Sequence, residues 1–269
     1  LDLSMFFHRD TERELLNLRA YLNARRSSRS EDNVDRWIRM VATNRLTGHS
    51  PGFFSVYTLP PNQAVSPEGQ LKINQRLKQS PPYRNVRELT LKKSIQLQSG
   101  LTTDDRERLR RAAGRARFLE QSAALTRSIR DDTVQLTVTS PPFLDVVHYA
   151  KDNWLRCWFN GLDAEEIGRR MAISRSVDEW SAVMASVFAE LYRITRPGGW
   201  VAFEVGEVKR GAIRLEEIVA PIGIASGFEC EAVLINSQRF TKTANIWGIS
   251  NNRLGTNTNR IAVFRKPSS

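Results

Sequence analysis

Apolar residues recur along the chain at two spacings, and the change from one to the other divides it. From Asp10, Leu15, Leu16, Leu18 and Leu22 favour one face, and from Asp32 the set Val34, Trp37, Ile38 and Val41 recurs at helical spacing. Both patterns predict helices, joined by the Ser/Arg stretch Arg25 to Ser30. Between Thr47 and Pro82 the periodicity fails and Gly, Pro, Ser, Asn and Gln take over, with Phe53, Phe54 and Tyr57 interspersed. This predicts a long loop, and loops of that length in compact proteins are usually functional or disordered. An Arg-dense segment from Asp104 to Arg127, with Leu109, Ala112, Ala116 and Leu119 as its apolar side, predicts a further helix, and a linker is expected near Ile129 to Asp132.

Beyond that point the two periods alternate. Val134 to Thr139 is a short β-branched run that must stop at Ser140-Pro141-Pro142-Phe143, because two prolines supply no ladder donors. A helix is expected over Val146 to Phe159, then a loop from Gly161. Ser176 with Glu179 has the spacing of a capping box, and Trp180, Val183, Met184, Val187, Phe188, Leu191 and Tyr192 form one helical stripe that Arg196-Pro197-Gly198-Gly199 closes. A strand at Trp200 to Val205, a helix at Leu215 to Ala225, a strand at Cys230 to Asn236 and a last strand at Arg260 to Arg265 complete the order. Strand, helix, strand, helix, strand predicts an α/β fold, and the final two strands, with no helical pattern between them, should be antiparallel.

Composition narrows the function classes. The 269 residues carry a net charge of +11 and are 41% hydrophobic, with two cysteines. No apolar run approaches the roughly 18 residues that span a bilayer, and two cysteines make no disulfide scaffold. No apolar signal segment is visible at Leu1 to Asp10, and Cys157 and Cys230 lack partners at metal-ligand spacing, so they read as small buried hydrophobes in a reducing, cytoplasmic setting with no metal site. The charge is unevenly placed. Residues 1–130 hold 24 basic and 13 acidic side chains, and residues 131–269 hold 16 of each. A basic half joined to a neutral half suggests a polyanion-binding part, with nucleic acid as the first partner to consider. The expected organisation is a helical, loop-rich, DNA-contacting or target-recognition region over 1–130 and a catalytic α/β part over 131–269.

Ligands of open α/β sheets bind beyond the carboxyl ends of strands, where Thr139-Ser140-Pro141-Pro142-Phe143 stands. A strand followed by Ser-Pro-Pro-aromatic resembles the catalytic motif of S-adenosylmethionine-dependent DNA amino-methyltransferases, and Ser in first position resembles the cytosine-N4 branch. His148-Tyr149-Ala150-Lys151-Asp152-Asn153-Trp154-Leu155 and Leu191-Tyr192-Arg193-Ile194-Thr195-Arg196-Pro197-Gly198-Gly199-Trp200 also resemble that family, so the likeness covers residues 130–265. It implies a Rossmann-like methyltransferase sheet, partial and ending in an antiparallel strand, with duplex DNA as substrate and S-adenosylmethionine as methyl donor. Ser140, Pro141, Pro142 and Phe143 are then the catalytic residues, and Thr139, Ser140 and Asn153 the candidates for touching the cofactor.

The chemistry suits those residue types. The lone pair of an exocyclic amine is delocalised into the base, and attack on a sulfonium methyl needs it localised. The Ser140 hydroxyl and the Pro141 carbonyl can accept from its N–H groups, while the prolines remove competing backbone donors. Phe143 can stack on a flipped base, worth about 1–3 kcal/mol against a flipping cost of a few. Ser80-Pro81-Pro82-Tyr83 repeats the short pattern without a preceding β run, and reads as a turn in a loop.

The family's donor site uses an aromatic-x-Gly-x-Gly turn after its first strand, and this sequence has none; Glu204-Val205-Gly206-Glu207 reads as the end of a later strand. The expectation is that the turn lies in a missing N-terminal segment or on a second chain. Thr47-Gly48-His49-Ser50-Pro51-Gly52-Phe53-Phe54 reads equally as a groove-entering element or as a loop packed over its own aromatics. His8 and His148 read as structural or exposed, Asp145 as solvated, and the six Arg of Arg106 to Arg117 as phosphate ligands or a solvated face. Two rival functions stay open: the same chemistry on an RNA base, and a non-catalytic nucleic-acid-binding subunit of a split methyltransferase. The recognition sequence, and N4 against adenine N6, are not legible.

Overall fold

A computed structural model describes residues 1–58, 64–142, 149–171, 174, 176–208, 213–237 and 258–268. The chain divides into two compact units, Leu1–Arg117 with His148–Arg170, and Phe118–Val147 with Met171–Ser269. Among the described residues, no helix is long and apolar enough to cross a membrane.

The first unit is helical: α1 (Arg9–Ser27), α2 (Asn33–Thr43), α3 (Pro67–Leu77), α4 (Val86–Gln98), α5 (Thr103–Ala113), and, from later in the chain, α6 (Tyr149–Phe159) and α7 (Ala164–Arg170). The ends of α1 and α2 are tied by charge. Asp32 caps α2 and exchanges hydrogen bonds with Asp35, whose carboxylate also accepts from Arg25 Nε at 2.8 Å near the end of α1. Leu15 and Leu22 of α1 pack with Phe6, Phe7, Phe54, Leu155 and Phe159 in one buried core. Four helices depart from the sequence expectation, among them α4, which falls between Pro82 and Asp104 where no element is expected. Helix α3 lies inside the predicted Thr47–Pro82 loop, started by Ser66, which accepts from the Gly69 N–H at 3.1 Å, and by Pro67 in the first turn. Its one buried residue is Gln70, so no apolar period announced it. Helix α7 occupies part of the expected loop after Gly161. Helix α5 stops before Gly114, well short of Arg127, and buries none of its residues; Leu109 and Leu119 are exposed. The apolar side read from Leu109 to Leu119 therefore forms no core.

The second unit holds β1 (Val134–Thr139), α8 (Val177–Ile194), β2 (Thr195–Val205), the short pair β3 (Glu207–Val208) and β4 (Ile213–Arg214), α9 (Leu215–Ala225), β5 (Glu229–Ser237) and β6 (Thr258–Arg265). The sheet order is β1-β2-β6-β5, with β1 parallel to β2 and β6 antiparallel to both neighbours. This is an α/β architecture with a mixed open sheet. The predicted antiparallel final pair is present, with β6 inserted between β2 and β5. The Arg196–Gly199 segment opens β2 rather than closing the helix, which ends at Ile194. Gly198 is left-handed at φ +70, and a Cβ at Gly199 would meet the Arg196 and Val134 carbonyl oxygens at 2.8 and 3.0 Å. The two glycines let the start of β2 bend closely past β1.

One sheet face is sealed. Val201, Phe203, Val205, Ala262 and Phe264 are buried with Trp180, Phe188 and Leu191 of α8 and Leu215 and Val219 of α9. The opposite face stays apolar and open: Leu136 and Val138 lie beside Trp200 and Ala202, and are 55% and 74% exposed. Ile261 and Leu234 continue that face, Leu234 being 54% exposed.

A charged cluster anchors the segment that leads into β1. Buried Glu190 on α8 accepts from the Thr126 N–H at 2.6 Å and from Arg193 Nε and Nη2 at 2.9 and 2.6 Å, while Arg193 also pairs with Asp131. The Arg193 guanidinium, helped by the Thr126 donors, holds the Glu190 carboxyl at about 2, well below the ordinary 4.5. A carboxyl depressed on folding stabilises the fold above its unfolded value and loses that contribution as protons bind. Glu190 should therefore stabilise this unit fully above about pH 4.5, and lose that effect progressively down to about pH 2. Glu190→Ala should flatten that part of the acid-denaturation profile and cost on the order of 3 kcal/mol at neutral pH. Urea titrations of both proteins between pH 2 and 7 measure it; an unchanged acid limb would contradict the assignment.

Candidate functional site

The carboxyl ends of β1 and β2 lie on the same side, since the strands are parallel. β5 runs the same way as β2, and antiparallel β6 starts at this edge, so Thr139, Gly206, Asn236 and Asn259 all gather there. Among the described residues there, half-buried Arg260 pairs with Glu216 of α9. Ser140 and Pro142 are exposed, and Thr139 and Pro141 half-buried, so Ser140 stands open to solvent at the end of the strand.

The turn after β1 is tethered. Trp180, buried at the start of α8, donates from Nε1 to the Pro142 carbonyl at 3.0 Å. Ser176 begins that helix by accepting from the Glu179 N–H at 3.1 Å, which sets Trp180 in its first turn. The hydrophobic stripe identified Trp180 as core without its second role. The available signal was general: a buried indole N–H needs an acceptor, and a carbonyl of a Pro-Pro turn has no ladder partner. Trp180 is thus a positioning residue for the motif.

Of the other residues singled out by sequence, Phe143, Asp145 and His148 lie outside the described residues. Asn153 belongs to α6 of the first unit, where its side-chain oxygen accepts from Arg156 Nη1 at 2.9 Å. His8 caps α1 through Nδ1, a structural role. Cys157 and Cys230 are free and half-buried, and burial pushes both thiols up, away from reactivity. Phe53 and Phe54 are buried, which favours the packed-loop reading of Thr47–Phe54. No group of His, Cys, Asp and Glu able to hold a metal occurs among the described residues.

Chemically, the described end of β1 offers two hydroxyls, each able to accept or donate, followed by two prolines whose nitrogens carry no hydrogen and so give no backbone donor. Such a set suits a ligand that presents N–H groups.

No protein-family model matches the chain, and no curated protein matches it. Among solved structures, it is similar to a candidate DNA modification methylase of Thermus thermophilus solved with S-adenosyl-L-methionine, at 17% identity and a TM-score of 0.36, over 56% of this chain and 53% of that one. It is similar to a SAM-dependent methyltransferase of Methanosarcina mazei at 9% identity and a TM-score of 0.31, over 60% and 77% of the chains. A third likeness is to a candidate sarcosine dimethylglycine methyltransferase of Galdieria sulphuraria, at 12% identity and a TM-score of 0.33, over 99% and 94%. This chain spans about half the length of the Thermus protein.

Proposed function

We propose that the second unit is the base-holding part of an S-adenosylmethionine-dependent amino-methyltransferase that acts on duplex DNA at cytosine N4. The observation that supports this reading is an acceptor-rich Ser140-Pro141-Pro142 turn at the carboxyl end of a parallel strand, tethered by Trp180. The Ser140 hydroxyl and the Pro141 carbonyl take the two amine N–H groups and help localise the nitrogen lone pair. Phe143 stacks on the flipped base. The proton is lost to water after transfer, so no histidine is assigned to the step. The basic residues of the first unit hold the DNA backbone.

The methyl donor, when bound, supplies an electrophilic methyl on a sulfonium. Among the described residues of this turn, Pro141 and Pro142 offer no backbone donor to its carboxylate, and Thr139 to Pro142 include no acidic partner for its ammonium. We assign its main site to a further segment or a second chain carrying a glycine-rich turn. Support for that assignment comes from β1, which pairs on one side only among the described residues and leaves Leu136 and Val138 uncovered. That Thr139 and Ser140 touch the cofactor belongs to the same proposal, and the expectation for Asn153 stands apart from it, since Asn153 is in the first unit with its side-chain oxygen on Arg156.

The test is transfer of a labelled methyl group to duplex DNA and to structured RNA, with the chain alone and with the glycine-turn segment added. Transfer to duplex DNA only with the segment present is expected. Preference for RNA would replace the substrate, and no transfer to either would leave a nucleic-acid-binding subunit. Micromolar binding of S-adenosylmethionine by the chain alone, read by titration calorimetry, would sink the split-site assignment.

A further inference from the structure

The first unit contains a cavity of about 270 Å³, close to the lower end of ligand clefts at about 300 Å³. Its two walls are the two sequence features that the Ser140 chemistry leaves unused, the Gly48–Tyr57 loop and the Gln79–Arg84 segment containing the second Ser-Pro-Pro-Tyr pattern.

Both walls are built rather than loose. In the loop, the Gly48 N–H donates to Ser55 Oγ at 3.3 Å and the Gly48 carbonyl accepts from the Thr58 N–H at 3.3 Å. The Phe53 ring lies where any Cβ on Gly48 would stand, 2.4 Å away, with the Arg45 guanidinium 4.1 Å from the ring centroid. In the second wall, Thr11 Oγ1 of α1 accepts from the Arg84 N–H at 2.7 Å and donates to the Arg84 carbonyl at 2.9 Å. Glu14 accepts from the Tyr83 hydroxyl at 2.7 Å and from the Val86 N–H at 2.8 Å. Gln79 Nε2 joins the walls by donating to the Tyr57 carbonyl at 2.9 Å.

The lining selects a ligand class. Arg84 is its cation, no carboxylate lines it, and Ser50, Ser55 and Ser80 add hydroxyls. Arg84 Nε is buried with no acceptor among the described residues, while the residue as a whole is half-buried, so an oxyanion in the cavity would pair with the outer nitrogens of the guanidinium. Tyr57, Pro51 and Pro82 add flat apolar surfaces, which a bare inorganic anion would not use.

We propose that this cavity is a site for a phosphate-bearing nucleotide, Arg84 taking the phosphate and Tyr57, Pro51 and Pro82 taking the flat part of the ligand. The cavity is lined by first-unit residues alone and does not rest on the methyl-transfer reading. It gives the charge surplus of residues 1–130 one defined contact in place of a diffuse field.

Binding by the full chain tests it, with dCMP, a short fluorescein-labelled single strand, the same sequence as duplex, and inorganic phosphate as probes. The nucleotide probes should bind more tightly than inorganic phosphate. Arg84→Gln should weaken the affected probe at least tenfold and lower the salt slope for a strand by about one. Arg84→Lys keeps the charge without the planar fork and should fall between the two. Arg196→Gln, exposed at the start of β2 in the second unit, is the control and should cost less than about twofold. Loss confined to dCMP makes a free nucleotide the ligand, and loss confined to a strand makes it a phosphodiester of nucleic acid. Tyr57→Ala should also weaken nucleotide probes while sparing inorganic phosphate, which decides the matter if the Arg84 variants fail to fold. Binding unchanged in folded Arg84→Gln and in Tyr57→Ala, or a preference for inorganic phosphate, would overturn the proposal.

Discussion

Replacing Ser140 with alanine should lower methyl transfer about 10²-fold while DNA affinity stays within about twofold. Ser140 is exposed at the end of β1, so removing its hydroxyl creates no cavity and unpairs no buried group. On the proposed reading, what it removes is an acceptor aimed at an amine that becomes positively charged as the new bond forms. A single preorganised polar partner of developing charge contributes on the order of 10²–10³ to the rate. The assay needs the glycine-turn segment present and saturating DNA, so that the loss is read in kcat. Phe143→Ala should be similarly damaging, through lost stacking. Trp180→Phe should cost an intermediate factor, because the ring still fills the core while the Pro142 carbonyl loses its 3.0 Å tether. Unchanged turnover in both Ser140→Ala and Phe143→Ala would refute the assignment of the motif.

The largest loss of stability is expected from Phe188→Ala in the second unit. Phe188 is fully buried on α8, and its ring centroid lies 4.8 Å from Phe203 of β2 and 5.1 Å from Phe264 of β6. It also meets Phe228 edge-on at 6.3 Å, so one side chain joins the helix to two strands and to the turn before β5. Truncating such a residue costs about 3–5 kcal/mol, against a total of about 5–15 for a typical domain. Urea unfolding followed by intrinsic fluorescence should show the midpoint fall with little change in slope; a loss under about 1 kcal/mol would mean that the cluster does not hold the sheet together.

Legibility in the sequence followed the strength of local signals. Leu215–Ala225 was readable as a helix and Val134–Thr139 as a strand, because apolar runs there end at Gly and Pro residues. The insertion of β6 between β2 and β5 was not, since Ala202 and Val263 meet across some sixty residues and no local pattern encodes that pairing. Helix α3 escaped because its buried contact is the amide of Gln70, which reads as surface. Helix α5 erred the other way: a helical period can exist with nothing packed on it. At the β1 edge the motif and its strand were legible, whereas the Trp180 tether was not, being a bond between an indole and a backbone carbonyl 38 residues away. The Ser80 pattern reads locally as a turn, and its place in a cavity wall depends on Ser55 and Tyr57, far from it in the chain.

The single-sided pairing of β1 among the described residues has a practical consequence. An edge strand with exposed Leu136 and Val138, and without the lysine or proline that commonly protects such edges, is a template for another copy of itself. Preparations of this chain alone should lose solubility with rising concentration. A lysine placed at Val138 would be the simplest remedy, since it charges the edge without touching the sealed face beneath α8 and α9.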